Sequence, residues 1–462
     1  MKTMLLFVNY SCNLLKCKGI SCSFKVKFAK FRCLPALSHF LQRARHRGIY
    51  KFQDSFGKQR WHMEQVVPFV TYNNSAESKT STVTQDGKLS ESLRSDYRNC
   101  DLRHRGRTGI LLMNTGSPAS LDVSDVREYL RKFLSDGRVV DLHPVLRFLV
   151  LNLFILRTRP KESAAAYSNI WDSERGSPLI YHCQDMAKCL QEKLGEEYYD
   201  IRVAMQFSDP SIPEALVHFR QRGIDRIVLL PLFPQYASSS TGSCIEIAYR
   251  EASKIYATPY LHVVPAFYDH DAYVSAYAQM IRKHLGENLE KCDHLLISFH
   301  GVPEKHCMRT DETSIHCLQF EECCGRITQA NRNCYRAQSF ETARLLSKKL
   351  GLSEGNYTVA FQSRLAAAGI EWIKPYTDQV LVALGQRGIK RLGVVVPSFI
   401  ADCLETLEEI GIRGKETFLE AGGEEFFLVP CLNSSPVWAE ALIKILKDSC
   451  PWEQQLKGFS SH

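Results

Sequence analysis

The stretch Leu295-Leu296-Ile297-Ser298-Phe299-His300-Gly301-Val302-Pro303 joins an apolar run to a histidine and a Gly-x-Pro turn. Such a run is a buried strand entering a loop. In open parallel α/β sheets ligands bind outside the carboxyl ends of the strands, so Ser298 and His300 would be delivered to that crevice by the most rigid part of the fold. An imidazole there suits a base or a metal ligand, and the placement equally suits an inert, hydrogen-bonded core histidine. A second polar set follows Val394-Val395-Val396-Pro397-Ser398-Phe399. Asp402, Glu405 and Glu409, spaced i, i+3, i+7, would share one face of a helix that starts at another strand's carboxyl edge. That row can hand over a divalent ion or collect protons, or it is a solvated face whose first acid is favoured at a helix N-terminus. The third set is Cys307-x9-Cys317-x5-Cys323-Cys324-x9-Cys334, flanked by His306 and His316. Four thiolates can hold a [2Fe-2S] cluster or a zinc ion; the tight Cys-x-x-Cys knuckle is missing, which leaves free thiols in an insertion as the other reading.

The elements that must position these groups alternate regularly. Gly109–Asn114 reads as a buried strand, and Thr115-Gly116-Ser117-Pro118 as the turn into a helix carrying Val126, Tyr129, Leu130 and Phe133 at helical spacing. That turn has neither the Gly-x-Gly-x-x-Gly nor the Gly-Lys-Ser pattern of nucleotide sites. Further strands are expected at Tyr199–Met205, Asp225–Phe233, Leu261–Pro265, Tyr357–Ser363, Lys390–Pro397 and Phe426–Pro430, with helices between them. The run from Pro234 to Ser243, rich in hydroxyls, lies at a strand end. Strands separated by helices of this length make βαβ units. The expected fold is α/β, with two similar Rossmann-like domains, parallel sheets and a cleft between them.

Composition bounds the rest. The chain has 462 residues, a net charge of +8 and 17 cysteines. Residues 1–60 carry thirteen Lys or Arg against Asp54 alone, so the remainder is nearly neutral and offers no basic patch for nucleic acid. An acidic-poor, Arg-rich start is the mark of an organelle-targeting peptide, mitochondrial first and plastid second. The expected organisation is a presequence and linker over 1–105, an N-terminal domain over 106–275, a C-terminal domain over 276–450 with a Cys-rich insertion at 304–335, and a tail at 451–462.

Leu142 to Leu156 is nearly apolar all round and is closed by Arg157-Thr158-Arg159-Pro160-Lys161. Fifteen residues cannot cross a hydrocarbon core of about 30 Å. The segment 142–161 is therefore a buried core helix, or a lip that lies in a membrane interface and walls an apolar pocket.

Seven motifs, in order, resemble those of ferrochelatases: Gly109–Pro118, Arg159–Lys161, Gly176–Leu179, Pro234–Ser243, Ser298–Pro303, Phe361–Arg364 and Asp402–Glu409. The resemblance covers Thr108 to about Lys447. It implies insertion of Fe(II) into a porphyrin, usually protoporphyrin IX, with loss of both pyrrole protons, in a two-lobed chelatase fold. In eukaryotic members it also implies a homodimer on the matrix face of the inner mitochondrial membrane. Carried over position by position, it gives His300 and Glu405 as catalytic residues, and His300, Asp402, Glu405 and Glu409 as groups that handle the metal. Met113, Arg157, Arg159, Tyr236, Ser243 and Trp372 would contact the porphyrin. The chemistry agrees with such a set. Metal entry into a planar ring needs distortion by a tight pocket and bases on one face, and a site of one imidazole plus carboxylates releases iron more readily than a thiolate cage.

There are departures. Cys403 stands where animal members carry a histidine, and Gln206 where they carry an arginine. Only Cys450 remains of the C-terminal cysteine motif, and the Cys307 to Cys334 insertion resembles one seen in some bacterial sequences. An enzyme of bacterial type with an organelle presequence, with a possible [2Fe-2S] cluster at the insertion as a hypothesis, is the reading that results.

Overall fold

In a computed structural model of the chain, residues 106–364 and 370–450 are described. The chain divides into two units, Met1–Ser81 and Thr82–His462, and the described residues belong to the second. The presequence and linker expected at 1–105 and the tail expected at 451–462 lie outside them.

Among the described residues, eight strands form two sheets of four, in the orders β2-β1-β3-β4 and β6-β5-β7-β8. The first holds β1 (Thr108–Asn114), β2 (Tyr199–Met205), β3 (Arg226–Pro231) and β4 (Tyr260–Val263). The second holds β5 (His294–His300), β6 (Tyr357–Gln362), β7 (Arg391–Val395) and β8 (Glu425–Leu428). All pairings are parallel. A central parallel strand is covered on both faces, so it reads as a continuous apolar run; β1 is buried at every residue.

The helices are α1 (Val123–Ser135), α2 (Pro144–Val150), α3 (Leu156–Ser168), α4 (Pro178–Leu194), α5 (Ile212–Gln221) and α6 (Ser243–Ser253) in the first half. They continue as α7 (Asp271–Leu285), α8 (Glu304–Arg309), α9 (Tyr335–Leu350), α10 (Thr377–Gln386), α11 (Lys415–Glu420) and α12 (Pro436–Ser449). Wider π-helical turns occupy Leu151–Ile155, Ser238–Gly242 and Leu404–Gly414.

Each sheet packs one face on its own helices. Leu111, Met113 and Leu229 meet Leu216 and Phe219 of α5, while Leu296 and Val394 meet Leu381 and Leu384 of α10. The other faces share one core: Ile110, Leu112 and Leu230 from the first sheet and Leu295, Ile297 and Val395 from the second, joined through α4, α7, α9 and α12. Helix α7, where the 275/276 boundary was expected, puts Tyr273, Tyr277 and Ile281 into that common core.

The apolar segment at 142–156 is not core. It is α2, the π turn and the start of α3, and it exposes Leu142, Val145, Phe148, Leu149, Leu153 and Phe154, with Phe148 64% exposed. No helix of the described residues is long and apolar enough to cross a membrane.

Candidate active site

In both sheets strand order reverses at the second and third positions, between β1 and β3 and between β5 and β7, and such switch points are where α/β sheets open a crevice at their carboxyl ends. His300 ends β5 at one of them. Its backbone N–H donates to Ser398 Oγ in the loop after β7 at 2.9 Å, tying both banks of the crevice. Its Nδ1 lies 2.6 Å from the Gly301 carbonyl oxygen. A carbonyl only accepts, so Nδ1 carries the proton and the Nε2 lone pair is left available.

Opposite stands the segment after β7. Glu405 and Glu409 lie on the π-helix Leu404–Gly414, whereas Asp402 precedes it, so the three carboxylates do not share one helix face as the spacing suggested. Asp402 is turned into the protein, where it accepts from Thr406 Oγ1 at 3.0 Å, Asn433 Nδ2 at 2.7 Å and the Cys431 N–H at 3.3 Å. Glu409 accepts from Ser363 N–H at 2.7 Å and from Ser363 Oγ at 2.5 Å. Burial pushes the Glu409 carboxyl above the usual carboxylate range, the Ser363 hydroxyl and the His300 charge oppose that, and Glu405 adds to it. His300, Glu405 and Glu409 thus act on one another electrostatically. Glu408 faces away and pairs with Arg413.

Groups that the sequence did not single out hold these in place. Gln362 donates from Nε2 to the Glu405 carbonyl at 2.8 Å and accepts from Ser298 Oγ at 2.9 Å, so the end of β6 fixes the start of the π-helix. Ser363 has φ of +64°, a left-handed conformation that turns both its donors to Glu409. From the first half, Tyr129 of α1 donates its hydroxyl to the Gly116 carbonyl at 3.1 Å and lies close enough to Glu405 for that charge, after burial, to raise its pKa. Phe361-Gln-Ser was visible as a motif, but nothing in it signalled these roles, because the contacts cross between strands and helices far apart in the chain.

The remaining expected residues divide. Trp372 packs against Gly301, pairs with Pro303 in an isolated β-bridge, and has a buried indole N–H without a partner. Tyr236 brings its hydroxyl beside Gly242, and Ser243 donates to Asp136. Arg157 and Arg159 are exposed on α3, and Arg159 pairs with Glu162. Met113 is fully buried among α5 and α6 residues and offers no surface to a ligand, because strand alternation turns it into the core. Among the described residues, no group of three or more His, Cys, Asp or Glu is arranged to hold a metal ion.

The profile of the ferrochelatase family matches residues 107–450. The chain belongs to that family. It is 42% identical over 342 residues to a ferrochelatase of Bdellovibrio bacteriovorus, covering 74% of this chain and 99% of that one. It is 45% identical to a ferrochelatase of Pseudomonas fluorescens, covering 72% of this chain and 95% of that one. Among solved structures, SirB from Bacillus subtilis with Fe3+ aligns over 76% of this chain and 98% of its own at 12% identity and a TM-score of 0.43, and the fold described above rests on the strand order instead.

In this ferrochelatase Cys403 is buried, and burial with the neighbouring Glu405 charge raises its thiol far above the ordinary range, so it remains a neutral thiol beside Glu405. Gln206 donates weakly to Asp136 at 3.4 Å, in the same cluster as Ser243. The insertion brings four of its five cysteines near one another: Cys307, Cys317 and Cys324 act on Cys334, and their thiols hold its pKa well below the usual thiol range. Cys323 lies alongside, with its sulfur 3.7 Å from that of Cys324. Arg336 donates to the Cys324 sulfur at 3.2 Å. Helix α8, which carries Cys307, is tied to the root of the apolar segment by Lys305 and Arg309, both paired with Asp141.

Proposed function

We propose that His300 is the base, and with Glu405 and Glu409 the transient iron-handling group, of the reaction this ferrochelatase catalyses: insertion of ferrous iron into a porphyrin to give haem. The observation that carries this is the Nδ1 bond to the Gly301 carbonyl, which commits that nitrogen and leaves Nε2 to take a pyrrole proton or meet the metal. Both pyrrole protons must leave as iron enters. Glu409, with its pKa raised by burial, is suited to accept one of them, and Glu405 stands beside it. Imidazole and carboxylate donors hold Fe(II) loosely enough to surrender it to the ring. Asp402, saturated by Thr406, Asn433 and Cys431, serves as the buried anchor of this segment.

The substrate assigned is protoporphyrin IX, with Trp372, Tyr236 and Ser243 on the walls and the exposed lip of α2 and α3 at the mouth. That lip is read as lying in a membrane interface, since it exposes Phe148, Leu149 and Phe154 on a short stretch of chain. The resemblance adds a homodimer, and the thirteen basic residues in the first sixty favour the mitochondrial matrix as the location. Cys307, Cys317, Cys324 and Cys334 are the donor type of a [2Fe-2S] cluster and would hold one as thiolates, with Arg336 offsetting their charge, although as placed no three of them are arranged to hold a metal ion. When bound, such a cluster supplies a one-electron couple.

The test is anaerobic insertion of Fe(II) into protoporphyrin IX, with coproporphyrin III alongside, by the wild type and His300→Ala. Loss of at least about a hundredfold in turnover with porphyrin binding kept is expected. Turnover that survives the substitution overturns the assignment.

A further inference from the structure

A recess of about 540 Å3 opens on the outer side of α1, lined by Ser124, Arg127, Glu128 and Arg131 from that helix and by Asn152 and Arg157 from the lip and α3. It is not the catalytic crevice. Val126 and Tyr129 of α1 are buried, and Tyr129 faces Glu405, while the recess-lining positions of α1, spaced i, i+3, i+4 and i+7, take the opposite side of the helix. Three guanidinium groups share this space with one carboxylate. Glu128 is already paired with Arg131 and lies 3.8 Å from Lys132. Arg127 and Arg157 have no acidic partner among the described residues. The recess therefore carries uncompensated positive charge in a form, planar and multidentate, that matches a phosphate group.

Its surroundings decide which phosphate. Asn152 lines the recess, and its amide donates to the Phe148 carbonyl at 2.8 Å, so the recess and the exposed lip are built on the same turns of chain. Phe148 is 64% and Phe154 53% exposed. A ligand that satisfies both surfaces has an anionic head beside an apolar body. We propose that this recess binds the phosphodiester headgroup of an anionic phospholipid while Phe148 and Phe154 enter the acyl region, a proposal that rests on reading the lip as a membrane-interface element.

The experiment is sedimentation of the full chain with vesicles of phosphatidylcholine alone and of phosphatidylcholine mixed with phosphatidylglycerol, with inorganic phosphate as a soluble competitor. Arg127→Ala with Arg131→Ala should weaken binding to the mixed vesicles about thirtyfold and leave binding to phosphatidylcholine and iron insertion in detergent unchanged. Phe148→Ser with Phe154→Ser should lose both vesicles. Arg250→Ala with Lys254→Ala, on the distant end of α6, should change neither. If the arginine pair binds mixed vesicles as the wild type does while the phenylalanine pair fails, the headgroup site is wrong and the lip reading stands. If the wild type binds no vesicle, the lip reading falls and takes the site with it. Equal losses in the distant pair would mean diffuse attraction, and displacement by inorganic phosphate would mean a site for the free ion; either result overturns the proposal.

Discussion

Replacing Gly301 by alanine tests how His300 is held. A Cβ at this position would stand 2.7 Å from the backbone oxygen of Gln362 and 3.4 Å from Cε3 of Trp372. The first contact is about 0.6 Å inside an ordinary carbon–oxygen approach, and it is to backbone at the carboxyl end of β6, paired there with β5, rather than to a side chain that can swing aside. The same Gln362 oxygen accepts the Gly301 N–H at 2.7 Å, so relieving the clash stretches that bond too. Overpacking costs about 1–3 kcal/mol and the weakened hydrogen bond about 1 kcal/mol, giving roughly 2–4 kcal/mol lost in urea unfolding. Turnover should fall further than stability implies. The Gly301 carbonyl is the acceptor that orients the imidazole, and a shift of about 1 Å at a catalytic group costs about a hundredfold. Gly351→Ala is the matched control. It sits at φ of +71° with nothing within 4 Å of its Cβ, so it should cost about 1 kcal/mol of stability and leave Fe(II) insertion unchanged. Full turnover in Gly301→Ala, or an equal loss in Gly351→Ala, would refute the reasoning.

Asp200 is held down to about 2 by His218 and Arg202 against the opposing effect of burial. A depressed carboxyl contributes stability that is present above its unfolded pKa near 4 and lost as pH falls toward 2, so Asp200→Asn should lower the unfolding free energy at neutral pH by about 1–2 kcal/mol after solvent screening of its partners, with the gap closing below pH 4. Asp402→Ala should destabilise by about 2–4 kcal/mol in urea, because it strands Asn433 Nδ2 and the Cys431 N–H inside the protein; a drop in turnover with stability intact would instead make Asp402 part of the iron path. Cys334→Ser should abolish any visible-region absorbance and acid-labile sulfide of the purified protein; a preparation of wild type that shows neither removes the iron–sulfur reading.

Local pattern was enough to read the strands and the carboxyl edges at which His300 and Glu405 sit, since apolar runs in parallel sheets and the turns that end them are written in consecutive residues. Motif order was likewise enough to read the family. The family resemblance put Met113 against the porphyrin, whereas a strand residue's face depends on which helices cover the sheet, and local pattern put Asp402 on a helix that begins after it. It also left the apolar segment at 142–156 open between core and surface, because hydropathy states what a segment can bury but not what stands beside it. Only the tertiary structure turned Phe148 and Phe154 outward, gave Gln362 and Ser363 their holds on Glu405 and Glu409, and gathered three cysteines around the sulfur of Cys334. These are contacts between residues tens to hundreds of positions apart, whose geometry is set by how two sheets share a core rather than by any spacing along the chain.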